Sequence, residues 1–169
     1  MFRGASSFNQ PLNDWDVSSA TIFGGMFAKA ASFDQPLNTW EVGMVYLMNT
    51  MFDGASSFNQ PLNGWNVGSA IHMSSMFRQA TSFNQPLNNW DVSSATTLYG
   101  VFAFASSFDQ PLQAWNVSAA AGMIGMFYAA SSFNQNLCLW AANSTTFPYG
   151  QRSSDMFFGT NCTNKADPT

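Results

Sequence analysis

Charge is what this sequence has least of. Asp, Glu, Lys and Arg together make up 8% of its 169 residues, against roughly a quarter in an ordinary globular protein. Contact with water therefore falls to Ser, Thr, Asn, Gln and Gly. The five cations, Arg3, Lys29, Arg78, Arg152 and Lys165, are scattered, and the net charge is −4. No basic stripe exists to follow a nucleic-acid backbone, which excludes that class of partner. His72 is the sole histidine, and Cys138 and Cys162 are the only cysteines. Two thiols and one distant imidazole are too few for a zinc site or a Cys–His nucleophile. Acids and bases strung thinly along the chain do not converge as an active site requires. The expectation is a non-catalytic protein with no cofactor. No run of 18 apolar residues is present, which excludes a membrane-spanning helix. No basic segment followed by an apolar one opens the chain, so any export signal lies outside this sequence.

Apolar residues, by contrast, are plentiful at 46%, with 16% aromatic, so the chain packs a core rather than remaining disordered. The arrangement of those residues is periodic. Sliding the sequence against itself by 25 residues aligns nearly everything up to residue 140, and copies begin at Met1, Met26, Met51, Met76, Val101 and Met126. The columns headed by Phe2, Ala5, Ser7, Phe8, Gln10, Leu12 and Trp15 never vary among these six copies and read as interior. Those headed by Arg3, Gly4, Asp14, Ser18, Thr21 and Gly24 vary freely and read as solvent-facing. Residues 1–150 are thus expected to form six tandem repeats, and 151–169 a degenerate C-terminal cap and tail.

Within a copy, Leu12, Trp15 and Val17 make an L-x-x-W-x-V phrase with Trp15 and Val17 on one side, the alternation of a short strand. Phe23, Met26, Phe27, Ala30 and Phe33 then fall at spacings of three and four, the stripe of a short helical or 3₁₀ segment. The S-F-N-Q-P-L phrase returns the chain, with proline favouring extension before it. One such coil cannot bury its apolar stripe alone, but stacked coils can. The predicted fold is an α/β repeat solenoid, leucine-rich-repeat-like, with short parallel strands and short helical segments. Strands about 4.8 Å apart would make a stack of roughly 30 Å.

The phrase M-F-x-G-A-S-S-F-N-Q-P-L-N-x-W-D-V-S, written at Met1 to Ser18 and again with small changes from Met51 and Met76, resembles the 25–26-residue repeat of bacterial surface proteins, the BspA-like leucine-rich repeats. The resemblance covers residues 1 to about 140. It implies an extracellular or cell-surface location and the same solenoid architecture, and it is silent on function. The sequence departs from that pattern at Ala20–Phe23 and Ala70–Met73. It departs again at Asn136 and from Cys138 to Ala142, which resemble the capping ends of eukaryotic members.

Cys138 and Cys162 lie about one coil apart, the second after a degenerate Met156-Phe157 element. They are expected to form a disulfide, stabilising by roughly 3 kcal/mol. Asn116, Asn143 and Asn161 head N-x-S/T sequons, and Asn116 and Asn143 are candidate N-glycosylation sites in a eukaryotic secretory pathway. The sequon at Asn161 contains Cys162 and is set aside. The Trp column reads as core rather than as a sugar-stacking face, and the Gln10 column as an amide ladder. Two Asn/Asp columns, from Asp16 to Asn116 and from Asn9 to Asn134, could hold calcium. Their mostly alternating charged and neutral members suit stacking without repulsion better.

The residues most suggestive of a partner are large apolar side chains at variable columns. Met44, Tyr46, Tyr99, Phe104 and Tyr128, with Ile124 and Leu139, break the pattern without being required by it, and clustered they would mark an interaction patch. The leading expectation is a surface or secreted module contacting a protein or glycan in an adhesion-like role. The alternative is a structural spacer or matrix solenoid without a ligand. Ice binding is remote, because the Thr21 column is not a regular threonine array. Met1 begins in phase with the repeat, so the first coil offers an open apolar face through which the chain could self-associate. Thiol titration of the native protein is expected to find Cys138 and Cys162 blocked. Two free thiols would remove both the disulfide and the export expectation, since disulfides persist only in oxidising compartments.

Overall fold

The computed structural model of the protein describes residues 1–137, 140 and 155–161. Its organising contact is between residues one repeat apart. The Phe2 amide donates to the Met26 carbonyl at 2.8 Å, and the step recurs from Phe27 to Met51, Phe52 to Met76, Phe77 to Val101 and Phe102 to Met126. Ile22, Leu47, His72, Thr97 and Gly122 form successive parallel bridges. Each copy therefore lies parallel to the next with a register of one repeat.

The segment expected to be helical has another geometry. Between Phe23 and Lys29, alternate amides point to the next copy: Phe23 to Leu47, Gly25 to Asn49, Phe27 to Met51 and Lys29 to Asp53. The intervening amides of Met26 and Ala28 fold back three residues, onto Phe23 and Gly25. A helix would direct every amide back along its own chain. Here half of them serve the neighbour, and the backbone adopts the left-handed conformation at two points four residues apart, spanning each boundary between copies. Those points are Gly25 and Lys29, Thr50 and Gly54, Ser75 and Gln79, Gly100 and Phe104, and Gly125 and Ala129. Among residues 1–137 the backbone carries isolated bridges and turns, with no helix and no strand longer than a bridge.

The Leu12–Val17 phrase also differs from the expected strand. It closes turns, Trp15 amide to Leu12 carbonyl and Ala20 amide to Val17 carbonyl, and the parallel ladder runs instead through the Ile22 column. The expected inward direction of Trp and Val holds: Trp40, Trp65, Trp90, Trp115 and Val42, Val67, Val92, Val117 are all buried.

The core consists of columns of like residues. Phe27, Phe52, Phe77, Phe102 and Phe127 stack with centroids about 5.5 Å apart and nearly parallel planes. Each also lies about 4 Å from a second phenylalanine of its own copy, such as Phe33 or Phe58. The buried indole N–H groups have fixed acceptors: Trp40 donates to the Leu12 carbonyl at 2.9 Å, and Trp65, Trp90, Trp115 and Trp140 repeat the bond to Leu37, Leu62, Leu87 and Leu112. That bond explains why the column is tryptophan and not phenylalanine. A phenyl ring would fill much of the space but remove the indole donor from a leucine carbonyl that otherwise keeps only the turn bond from a Trp amide of its own copy. Past residue 137, Met156 and Phe157 take the place of a further Met-Phe pair. The Phe127 amide donates to the Met156 carbonyl, Phe157 stacks on Phe127, and left-handed Asp155 and Gly159 keep the four-residue spacing.

Two substitutions separate the indole bond from ring packing. Trp65→Phe, which removes one of the two donors to the Leu37 carbonyl, is expected to lose about 0.5–1.5 kcal/mol in urea unfolding. Trp15→Phe, at a position 42% exposed, is expected to stay within about 0.5 kcal/mol of the parent.

Candidate interaction surface

The polar columns are occupied by the stack itself. The Asn9 side-chain oxygen accepts from the Asp34 amide at 2.9 Å and from Gln35 Nε2 at 3.1 Å. Asp34 accepts in the same way from Asn59 and Gln60, Asn59 from Asn84 and Gln85, Asn84 from Asp109 and Gln110, and Asp109 from Asn134 and Gln135. Only one side-chain oxygen is used at each step, which is why Asn and Asp interchange in the column. The glutamines donate chiefly to these side chains rather than to one another. Along the other column, Asp16 accepts from both the Ser18 hydroxyl and amide, and Asn66, Asp91 and Asn116 accept from the amides of Gly68, Ser93 and Ser118. The Ser18 hydroxyl, then its amide, holds the Asp16 carboxyl below the usual carboxylate range, and Ser93 acts likewise on Asp91. Among the described residues no group of three His, Cys, Asp or Glu side chains is placed to hold a metal ion. His72 Nδ1 lies 3.2 Å from the Thr97 hydroxyl.

The apolar surface residues separate into isolated ones and a group. Met44 and Tyr46 are exposed on the second copy and make no aromatic ring contact among the described residues. Tyr99 lies across Gly122, where a Cβ would collide with its ring; Ile124, in the same column one copy on, is also exposed. Phe104 and Tyr128 do meet, with centroids 5.3 Å apart. Tyr128 continues onto Phe158, stacked at 5.0 Å with planes 17° apart. At the other end the Arg78 guanidinium sits 5.7 Å over the Phe104 ring and 3.3 Å from an Asp53 carboxylate oxygen. The result is a stripe running Asp53, Arg78, Phe104, Tyr128, Phe158 along the stacked copies.

Phe158 was not foreseen from the sequence. The signal for it was present, because Met156-Phe157 repeats the copy opening and so places Phe158 in the column of Tyr128. Phe104 is also unusual in conformation. It holds the left-handed backbone (φ 61°) that the first and third copies give to Gly4 and Gly54, an uncommon state for a bulky side chain.

The family described as "Mycoplasma protein of unknown function, DUF285" matches the sequence over residues 1–82 and again over 62–167. The chain belongs to the DUF285 family. No curated protein and no solved structure matches it. Of the modification sites read from this DUF285 sequence, Asn116 is exposed and its side chain caps the turn at Ser118. Asn143, the cysteines Cys138 and Cys162, and Leu139 lie outside the described residues. Among the described residues no helix is long and apolar enough to cross a membrane.

The Asp16 turn makes a pH-dependent contribution of definite sign. Its carboxyl is lowered on folding, so the stabilisation is present above the ordinary carboxylate pKa and fades as pH falls through the lowered value. Replacing Ser18 by Ala is expected to return the Asp16 titration upward toward the usual range, read by carboxyl NMR; an unchanged midpoint would show that Ser18 is not the cause.

Proposed function

We propose that this DUF285 chain is a non-catalytic repeat module, secreted or displayed on a cell surface, that contacts a protein or glycan through the Arg78–Phe104–Tyr128–Phe158 stripe. The architecture proposed for it is a leucine-rich-repeat-like solenoid of the kind the BspA-like resemblance implies, six copies closed by a cap. The observation that carries the reading is the continuous ring contact from Phe104 through Tyr128 to Phe158, which other exposed large apolar residues such as Met44, Tyr46 and Tyr99 do not join among the described residues. Aromatic side chains and arginine are the groups that dominate binding energies at interfaces. Phe104 adds a second argument, since a phenylalanine held at a left-handed position opposes stability, and a contact role would retain it there.

Dispersal of Met44, Tyr46 and Tyr99 away from the stripe is what the rival spacer reading would predict for all exposed aromatics. The discriminating experiment compares the parent with Phe104→Gly and with Phe158→Ser on a panel of immobilised glycans and purified surface proteins. Phe104→Gly relieves the left-handed strain while removing the ring, so its stability is expected to remain within about 1 kcal/mol of the parent. Both variants are expected to lose at least about tenfold in affinity for any panel member the parent binds. Binding that neither variant weakens, or no binding to any member, would leave the spacer reading in place.

A further inference from the structure

The cations are widely separated in sequence, and the stack gathers them. In each copy the amide of the fourth residue donates to the carbonyl of the third residue of the next: Gly4 to Ala28, Lys29 to Asp53, Gly54 to Arg78, Gln79 to Ala103, Phe104 to Tyr128 and Ala129 to Phe158. These bonds draw one pair of neighbouring residues from every coil into a single line along the stack. The aromatic stripe is the later part of that line.

Every pair except Arg78–Gln79 sets one large side chain beside a glycine or an alanine, so each coil contributes chiefly one group to the line. The Lys29 stem crosses Gly54, its Cγ 3.5 Å from where a Cβ would stand, and the Arg3 guanidinium comes within 3.9 Å of the equivalent point on Gly25. Arg78 bridges the Asp53 carboxylate to the Phe104 ring. Arg3, Lys29, Phe104 and Phe158 are exposed, and Asp53, Arg78 and Tyr128 half-buried. The line thus divides into a cationic part on the first four copies and an aromatic part beyond. All Arg and Lys side chains of the described residues stand on it. Three cations against the one carboxylate of Asp53 give it a net charge of +2, on a chain whose formal net charge is −4. The other acids of the described residues stand in the Asp14, Asp16 and Asn9 columns, or at Asp155 ahead of the aromatic end.

We propose that this line is a track for an extended acidic peptide of a partner protein, with carboxylates against Arg3, Lys29 and Arg78 and apolar side chains against Phe104, Tyr128 and Phe158. The inference rests on the stripe's being a contact surface, and adds to it a cationic half and the chemical class of the partner. Charge complementarity selects the partner's sign and fixes its register, while the rings supply affinity. Two observations favour a peptide over an anionic glycan. Alternate side chains of an extended peptide project from one face about 6.6 Å apart, close to the 5.5–6.1 Å between stacked rings of successive coils. Tyr128 has one ring face against Phe158 and Phe104 tilted onto it, so it offers an apolar side chain its edges and leaves little open face for a sugar ring.

The test uses the full chain and a synthetic peptide, Glu-Ser-Glu-Ser-Glu-Ser-Leu-Ser-Leu-Ser-Leu, with its counterpart carrying Gln for each Glu and with polygalacturonate as an anionic glycan. The acidic peptide is expected to bind at least about tenfold more tightly than its neutral counterpart, and to weaken between about 50 and 500 mM salt. Combining Arg3→Gln with Lys29→Asn, the asparagine chosen because it accepts the left-handed backbone, is expected to lower its affinity at least about tenfold. Phe104→Gly is expected to weaken both peptides. If Phe104→Gly weakens binding while the paired cation variant and the Glu-to-Gln exchange do not, the acidic track is overturned and the aromatic contact surface stands. Polygalacturonate bound through Arg3 and Lys29 in place of the peptide would overturn the peptide assignment, and failure of the acidic peptide to bind at all would overturn the proposal outright.

Discussion

Everything in this protein depends on amides that leave their own copy to bond one repeat ahead. Because Phe23, Gly25, Phe27 and Lys29 give their N–H groups to the next coil, the segment between them cannot wind as a helix, and the amides in between close three-residue turns. The left-handed residues at four-residue spacing are the backbone's solution to that alternation. Glycine takes this conformation freely, and at Gly4, Gly25, Gly54, Gly100, Gly125 and Gly159 it does so. Lys29, Gln79, Phe104 and Ala129 adopt it because the bonds on either side leave no other course.

The same offset determines which side chains can stand in each column. A tryptophan whose indole must reach a leucine carbonyl in the adjoining coil has no isosteric substitute, and the column is invariant. An Asx residue asked for a single acceptor oxygen can be Asn or Asp, and the column alternates between them. Charge is thereby kept sparse inside the ladder, since no adjacent pair from Asn9 to Asn134 is doubly acidic. Scarcity of charge across the chain and constancy of its polar columns are two consequences of one requirement, that neighbours be near-identical and closely spaced.

On such a scaffold individuality is confined to positions that neither donate to the ladder through a side chain nor fill the core. Arg78, Phe104, Tyr128 and Phe158 occupy those positions on successive copies, and stacking turns them into one stripe. Repetition lends each variable residue a fixed spacing to its counterpart in the next coil, so a few substitutions suffice to write a continuous surface.

The sequence by itself determined the period, the copies and the buried columns. In a stack every coil packs against near-copies of itself, so a column that must be apolar is apolar each time and repetition inside one chain reveals it. It also marked Phe104 and Tyr128 as departures from the pattern. Apolar spacings of three and four did not distinguish a helix from turns interrupted by left-handed residues, because both bury the same side chains. Where the amides go is decided only when the neighbouring coil is in place. The ladder accordingly lies at the Ile22 column rather than at the Leu12–Val17 phrase. The stripe, too, was decided by tertiary structure: Phe104 and Tyr128 belong to different columns, and Phe158 follows Tyr128 at a spacing longer than the repeat. Their rings meet because the coils that carry them are packed together.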